Sequence, residues 1–520
     1  MSFSKVYSAQ ANITAATIIS IEVDLSRGLH SFSIVGLPDK AVEESKDRIS
    51  AAIKNSGFES PKSKNQKVVI SLAPADVKKE GPAFDVPMAL AYLSACDDIR
   101  FDSEGKIFLG ELSLDGEVRS IPGVLPLVRE AKRNGFKEVF VPKENAKEAA
   151  LIGGISIFGT SNLKEIVQHV NTRKNAEALP PHTLIAQPKT AIDTNEQAGS
   201  SDTDMADVHG QEGAKRGLEI AAAGGHNIAL FGPPGTGKTM LARAFCGLLP
   251  TLSFEDMLEV TSIHSVAGYL KNNIITSPPF RSPHHTASYV SIVGGGTFPK
   301  PGEITLAHRG VLFMDEFPEF DRKVIDAMRQ PLEDRVITIA RVRGTVTFPA
   351  HIILIVAMNP CPCGNFGNKE KECSCSRLDL ARYRRKISGP IIDRIDLWSE
   401  VSTVDRKSLS EAPKGEPTAS IRKRVMAARE IQTKRFTNHP RNIRLNCEMS
   451  SKDVPRFCIY TPEAKAVLYE ISERMRLSGR SHHKIMKLAR TIADLRNEEV
   501  IGKEAVLEAF QYRPKEIRTD

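Results

Sequence analysis

Residues 232–239 read GPPGTGKT, and they limit what this chain can fold into more than any other stretch of it. The pattern G-x-x-x-x-G-K-[ST] works only as a turn between a buried strand and a helix, because its backbone N–H groups must curl around a phosphate. Both flanks fit. The apolar run NIALF precedes the motif and TMLARAF, with helical spacing, follows it. Further apolar runs at Val311–Met314 and Ile352–Ala357 are separated by helical patterns, which predicts a parallel sheet.

The loop is therefore a candidate site for ATP. Gly232, Pro233, Pro234, Gly235, Thr236 and Gly237 shape the backbone cradle. Lys238 reaches the β- and γ-phosphates, and Thr239 is a ligand for Mg²⁺. GVLFMDEF (310–317) then ends a predicted strand in two carboxylates. Asp315 is placed to hold the Mg²⁺ through water and Glu316 to polarise an attacking water. Alone, this acidic pair would equally suit a helix N-terminus; beside a phosphate loop the catalytic reading is preferred. The next strand ends in Asn359, whose amide is placed to orient water near the γ-phosphate, although a turn Asn before Pro360 is the plainer reading of that residue by itself.

At 520 residues the chain is long enough for about three domains. Two polar stretches divide it: 172–204, rich in Asn, Thr, Pro and Gln, and 402–419. The expected units are 1–171, a linker 172–204, a core 205–401 and a helical block 402–520. The longest apolar run, Ile352–Met358, has seven residues, which rules out a membrane-spanning helix. The first residues show no basic segment followed by an apolar block, so a cytoplasmic location is expected. The net charge of +8 is unevenly placed: residues 401–520 hold 25 Lys/Arg against 16 Asp/Glu. Part of that excess suits a triphosphate. The rest, including Arg422, Lys423, Arg424, Lys434 and Arg435, is either a solvated helix face or a rim that meets DNA.

Eight cysteines are too few for a disulfide scaffold, yet Cys361, Cys363, Cys373 and Cys375 fall within 15 residues. Two C-x-C pairs nine residues apart offer four thiolates to a tetrahedral Zn²⁺, in a spacing tighter than the common C-x₂-C knuckle. Four reduced thiols in a Gly/Asn-rich loop is the alternative.

Several motifs in order give the middle block a resemblance to AAA+ ATPases, and more narrowly to the Mg-chelatase-like group near the MCM helicases. They are GPPGTGKT, SPHHTAS (282–288) with VGGG (293–296), GVLFMDEF, AMNPCPCG (357–364) and SGPIIDRIDL (388–397). The resemblance implies a homo-hexameric ring with ATP between subunits. It implies that Asn359 is sensor 1 and that Arg394 is the arginine finger offered to a neighbour. In the tail, LSGRSHHKIMKLARTIADL (477–495) resembles a sensor 2 helix, with Arg480 facing the γ-phosphate as first candidate and Arg490 as second. The resemblance also places an insertion in 261–309, carrying Arg281, His284, His285, Tyr289 and Lys300, while alternation around Arg341-Val342-Arg343-Gly344 predicts a hairpin in 335–355. Basic and aromatic side chains there suit contact with a nucleic-acid backbone, whereas the two adjacent histidines are poorly spaced for one metal.

Residues 69–91 and 109–145 resemble the Lon protease domain, an α+β fold of ribosomal S5 type with a Ser–Lys dyad. Here Gly81-Pro82 is followed by Ala83, and the position of the family lysine is Leu125, so nucleophile and activator are both missing. Lys78 and Lys79 do not restore the chemistry. The order of parts resembles the YifB/ComM family along nearly the whole chain. That implies a multidomain α/β protein: an S5-like Lon-type α+β domain, an AAA+ P-loop core and an α-helical lid. It also implies an ATP- and Mg²⁺-dependent motor acting on single-stranded or branched DNA, alongside recombination proteins and away from membranes. For ComM-type members the expected role is branch migration in natural transformation. A Mg-chelatase subunit and a protein-remodelling or pseudo-protease ATPase are the rival readings.

Overall fold

The computed structural model describes residues 2–11, 16–173, 183–190, 203–270, 274–296, 300–341, 344–366, 371–403 and 415–514. Most of both expected linkers, and Val342 and Arg343 at the hairpin turn, lie outside the described residues. The chain forms two compact units: Met1–Asp193 with Leu258–Ile274, and Thr194–Met257 with Ile275–Asp520.

The first unit holds a four-stranded sheet in the order β1 (Phe3–Ala11), β2 (Ala16–Arg27), β4 (Gln66–Ala73), β3 (Ser31–Val35), antiparallel except for the β3–β4 pair. Alternation in β4 turns Val68, Ile70 and Leu72 into the core. Helix α1 (Lys40–Asn55) is capped by Asp39, whose carboxylate accepts the Val42 N–H at 2.8 Å, and it buries Val42, Ile49 and Ile53. α2 (Asp85–Ala95) is buried almost all round. A second, three-stranded parallel sheet joins β5 (Lys106–Phe108), β6 (Glu138–Pro142) and β7 (Ser156–Thr160), with α3 (Val124–Arg133) between the first two. The segment 258–274 belongs here although its neighbours in sequence do not. Ser265 Oγ donates to Glu148 at 2.7 Å and accepts the Gly123 N–H at 2.9 Å.

The second unit is built on a five-stranded parallel sheet, as the apolar runs predict. Its order is β8 (Phe280–Arg281), β9 (Val311–Met314), β12 (Ile353–Met358), the central strand Ile228–Phe231, and β13 (Leu397–Glu400). Strands buried on both faces need continuous apolar sequence, and Val311–Met314 are all buried. α4 (Glu212–Gly224) precedes the central strand and α5 (Lys238–Phe245) follows it. The hairpin expected in 335–355 is present as the antiparallel pair β10 (Val336–Arg341) and β11 (Gly344–Pro349). The segment 261–309 is less loop-like than its sequence: α6 (Phe254–Val266) reaches into it, and short helices cover Tyr289–Val293 and Glu303–Leu306.

The lid helices α7 (Thr418–Arg435), α8 (Pro462–Arg474), α9 (Gly479–Leu495) and α10 (Lys503–Gln511) share one apolar core with α4 and the sheet. Here the structure corrects the idea of a basic rim. Arg424 pairs with Glu219 and Glu416, and Arg435 pairs with Asp494. Arg429 is half-buried and donates to the Ala222 carbonyl at 2.7 and 2.9 Å, which caps the end of α4. Lys423 stays exposed, and Lys434 meets Glu430 at 2.8 Å on the surface.

Candidate functional site

The phosphate loop leaves the carboxyl edge of the sheet between the central strand and α5. Its backbone takes positive φ at Gly235 (+77°) and Gly237 (+88°), which only glycine adopts without strain. Lys238 is buried. Its ammonium donates to the carbonyls of Gly232 (2.8 Å) and Pro233 (2.7 Å) and to Asn359 Oδ1 (3.2 Å). Burial lowers its pKa, and Asp315 opposes that shift. The two expected Mg²⁺ residues meet: Thr239 Oγ1 donates to Asp315 Oδ2 at 2.8 Å. The residue expected to ligate Mg²⁺ thus stands beside the one expected to hold it through water.

Glu316 sits at φ +49°, a left-handed conformation that costs a residue with a side chain roughly 1–2 kcal/mol. Its carboxylate meets His285 Nδ1 at 2.9 Å. Sequence reasoning had placed His285 among nucleic-acid contacts and missed this partner; the signal was only that SPHHTAS recurs before GVLFMDEF in the resemblance. Phosphate loop, Asp315, Glu316 and Asn359 thus converge at one sheet edge.

Arg394 and Arg480 lie at the opposite edge. Arg394 precedes β13, which runs parallel to the central strand, so it stands level with Asn227 and not with Gly232. The Arg394 carbonyl accepts from Asn227 Nδ2 at 3.2 Å. Five residues at about 3.3 Å each put roughly 16 Å of sheet between the two edges. Arg480, at the start of α9, donates to Glu333 at 3.1 Å, and Arg394 pairs with the same carboxylate. Hydrogen bonding from Arg394, then the charge of Arg480, holds the Glu333 carboxyl below its ordinary value. Glu333 is a second residue with no sequence signal of its own. Arg480 therefore faces away from the phosphate loop of its own chain. Arg490, the runner-up, is 1% exposed, bound to Asp494 and donating to the Glu499 carbonyl at 2.7 Å; it braces the lid.

Around this far edge lies a cavity of about 1190 Å³, lined by Arg335, Arg394, Arg441, Arg480, Lys484 and Lys487 among others. Its cations are largely matched. Lys484 reaches Asp396 at 3.2 Å; burial would raise the Asp396 pKa, but that ammonium and His226 hold it low.

The expected nucleic-acid contacts separate into two groups. Arg281 is turned onto Glu303 in a bidentate pair at 2.6 and 2.7 Å. His284, Tyr289 and Lys300 are exposed, as is Val290. Arg341 and Gly344 pair across the hairpin backbone, and Arg343 is outside the described residues. In the first unit Ala83 packs against the apolar cluster that contains Leu125, so both dyad positions carry only hydrocarbon. Lys79 is buried with its ammonium on the Pro74 carbonyl, and Lys78 meets Glu80 at 3.1 Å.

The four clustered cysteines come together, with every sulfur within 4.8 Å of the others. Hydrogen bonding from the Asn365 N–H brings the Cys363 thiol down to about 5, while burial raises Cys361 and the neighbouring thiols push Cys375 up to about 12.

Fold and site define a P-loop nucleotide-binding protein of the AAA+ type. The family descriptions that match are magnesium chelatase, subunit ChlI, over residues 204–409, subunit ChlI of Mg-chelatase over 21–145, and the ChlI C-terminal region over 415–513. Competence protein ComM of Haemophilus influenzae is 40% identical over 516 residues, 99% of this chain and 98% of that protein. YifB of Escherichia coli K12 is also 40% identical over 516 residues, 99% and 97% of the two chains. Lon protease 2 of Bacillus subtilis is 33% identical over 114 residues, 22% of this chain and 20% of that protein. The chain belongs to the YifB/ComM family of Mg-chelatase-like ATPases, with a Lon-like region in its N-terminal part. Among the described residues no helix is long and apolar enough to cross a membrane.

Proposed function

We propose that the chain is an ATP-driven DNA motor that assembles head to tail, as a hexameric ring, and hydrolyses ATP at the junctions between copies. One observation carries this reading. The phosphate loop, Asp315, Glu316 and Asn359 occupy one sheet edge, while Arg394 and Arg480 occupy the other. An arginine about 16 Å of sheet away from its own phosphate loop can stabilise transferring phosphate only on another copy. Both arginines then act in the neighbour's site, with Arg394 as the finger and Arg480 as sensor 2.

In each junction Lys238 binds the β- and γ-phosphates, and Thr239 and Asp315 hold the Mg²⁺ that offsets their charge. Glu316, oriented by His285, takes the proton of the attacking water, and Asn359 aligns that water. The exposed segment with His284, Tyr289 and Lys300 contacts DNA. The four cysteines hold zinc. The Lon-like region, without a dyad, binds partners or braces the ring. Similarity to a relative named competence protein supports a role in the recombination of incoming DNA, by branch migration. The test is the ATPase rate with and without single-stranded, duplex and four-way-junction DNA, read together with strand-exchange products. The absence of both DNA stimulation and junction processing would reject the motor.

A further inference from the structure

The four-cysteine loop touches the nucleotide site at three separate places. Three of its four sulfurs lie close to the edge lengths of a tetrathiolate, and the fourth is within 4.8 Å of them. Cys361 to Cys363 is 3.4 Å, Cys361 to Cys373 is 3.7 Å and Cys363 to Cys373 is 3.6 Å. A tetrahedron with metal–sulfur bonds near 2.3 Å has sulfur–sulfur edges of about 3.8 Å. The loop has little else to shape it: of its described residues from 361 to 376, only Cys361 and Gly364 are buried.

The first contact is steric. Gly364 lies against Pro234 of the phosphate loop so closely that a Cβ there would sit 2.5 Å from Pro234 Cδ and 3.1 Å from Cγ. The second is covalent. Asn359, bonded to Lys238, stands two residues before Cys361. The third is the helix 377–386 that leaves the second cysteine pair. Tyr383 Oη donates to the Asn359 carbonyl at 3.0 Å, and Lys386 meets Glu319, three residues past Glu316, at 2.7 Å. A rigid centre at the cysteines thus fixes the phosphate loop, Asn359 and the turn after the acidic pair at once.

We infer that a zinc-type divalent ion bound by Cys361, Cys363, Cys373 and Cys375 sets the ATP affinity and turnover of the adjoining site, so that losing the metal switches the ATPase off. This rests on the ATP site and the zinc proposed above, and adds their coupling. The experiment uses the full-length chain. Metal content is measured by inductively coupled plasma mass spectrometry, zinc is displaced with a mercurial and a chelator, and binding of a fluorescent ATP analogue and turnover are followed before and after zinc is restored. The zinc-free chain should bind nucleotide about tenfold or more weakly and recover with Zn²⁺ but not with extra Mg²⁺. Gly364→Ala separates coupling from folding. It should keep its zinc and its circular dichroism spectrum yet bind the analogue about tenfold more weakly, because its Cβ meets Pro234 and φ at this position is +81°. If metal removal also unfolds the chain, this variant decides alone. Equal binding and turnover with and without zinc overturns the inference, as does a Gly364→Ala protein that binds like the wild type, or a wild type with no zinc. A zinc-loaded wild type that binds no ATP refutes the ATP site itself.

Discussion

Two inactive variants of this chain should make an active mixture. Lys238→Ala removes the cation that grips the β- and γ-phosphates, while its Arg394 stays intact. Arg394→Ala keeps a complete phosphate loop and loses the charge it offers to the next copy. Each variant alone should lose about 10³-fold or more in turnover, the usual loss when an arginine finger is missing. The sheet places these two residues at opposite edges, so a competent junction can take one from each variant. At equal concentrations each side of a junction is drawn at random. Only the pairing of an Arg394→Ala phosphate loop with a Lys238→Ala arginine is complete. That is one arrangement in about four, whatever the number of subunits in the ring, so the mixture should run at about a quarter of the wild-type rate per chain. Phosphate release under saturating ATP and DNA measures it, with differently tagged variants showing co-assembly. A co-assembled mixture that stays at the sum of its parents' rates would refute the two-edge reasoning, and so would an Arg394→Ala chain with full turnover.

Other perturbations follow from the same contacts. His285→Ala frees the Glu316 carboxylate and should lower kcat about tenfold with KM nearly unchanged, His285→Gln recovering part of it; an unaltered kcat counts against the positioning role. Asp494→Asn leaves the buried Arg490 and Arg435 without their shared counter-charge and should cost about 3 kcal/mol in urea unfolding, a loss that a merely exposed pair would not show. His351 lies against Arg309, Arg335 and Glu448. Burial, then Arg335, pushes its pKa down to about 4 despite Glu448. A depressed folded pKa gives stability that is complete above the unfolded value of 6.5 and is lost as pH falls toward about 4. Stability should therefore drop by about 2 kcal/mol from this group between pH 7.5 and pH 5. A His351→Gln chain with the same pH slope as the wild type would contradict that. Lys300→Ala should reduce the salt slope of DNA binding by about 1, and Lys423→Ala should leave it alone.

The parts of this structure that were readable in advance are those whose physics is local. Continuous apolar runs such as Val311–Met314 had to be buried strands, and a glycine-rich turn between one such strand and a helix had to be a phosphate loop. What stayed hidden are pairings between residues far apart in sequence. Arg424 and Arg435 have the same sequence signature as solvated helix cations, and only the fold reveals Glu219, 205 residues away, or Asp494, 59 residues away. His285 beside Glu316 and Glu333 beside two arginines are of this kind. So is the position of Arg480. Its place at a helix start was visible, but the sheet edge it faces depends on how the lid packs on the core.

That packing bears on where the motor would hold its DNA. The basic excess of residues 401–520 invites the idea of a nucleic-acid surface on the lid. Yet Arg424, Arg429, Arg435 and Arg490 are consumed in fastening the lid to α4 and to itself. A guanidinium held by a buried carboxylate or a helix-end carbonyl has given its charge to the fold, and its removal costs stability before it touches binding. Exposed side chains also lie on the segment between β8 and β9, where His284, Tyr289, Val290 and Lys300 face solvent. The same segment carries His285, one residue from the exposed His284 and in contact with Glu316. A polymer bound at His284 or Tyr289 would therefore press on the residue that orients the candidate base. In a motor of this design, the grip on the substrate and the control of hydrolysis need no longer path than two adjacent histidines.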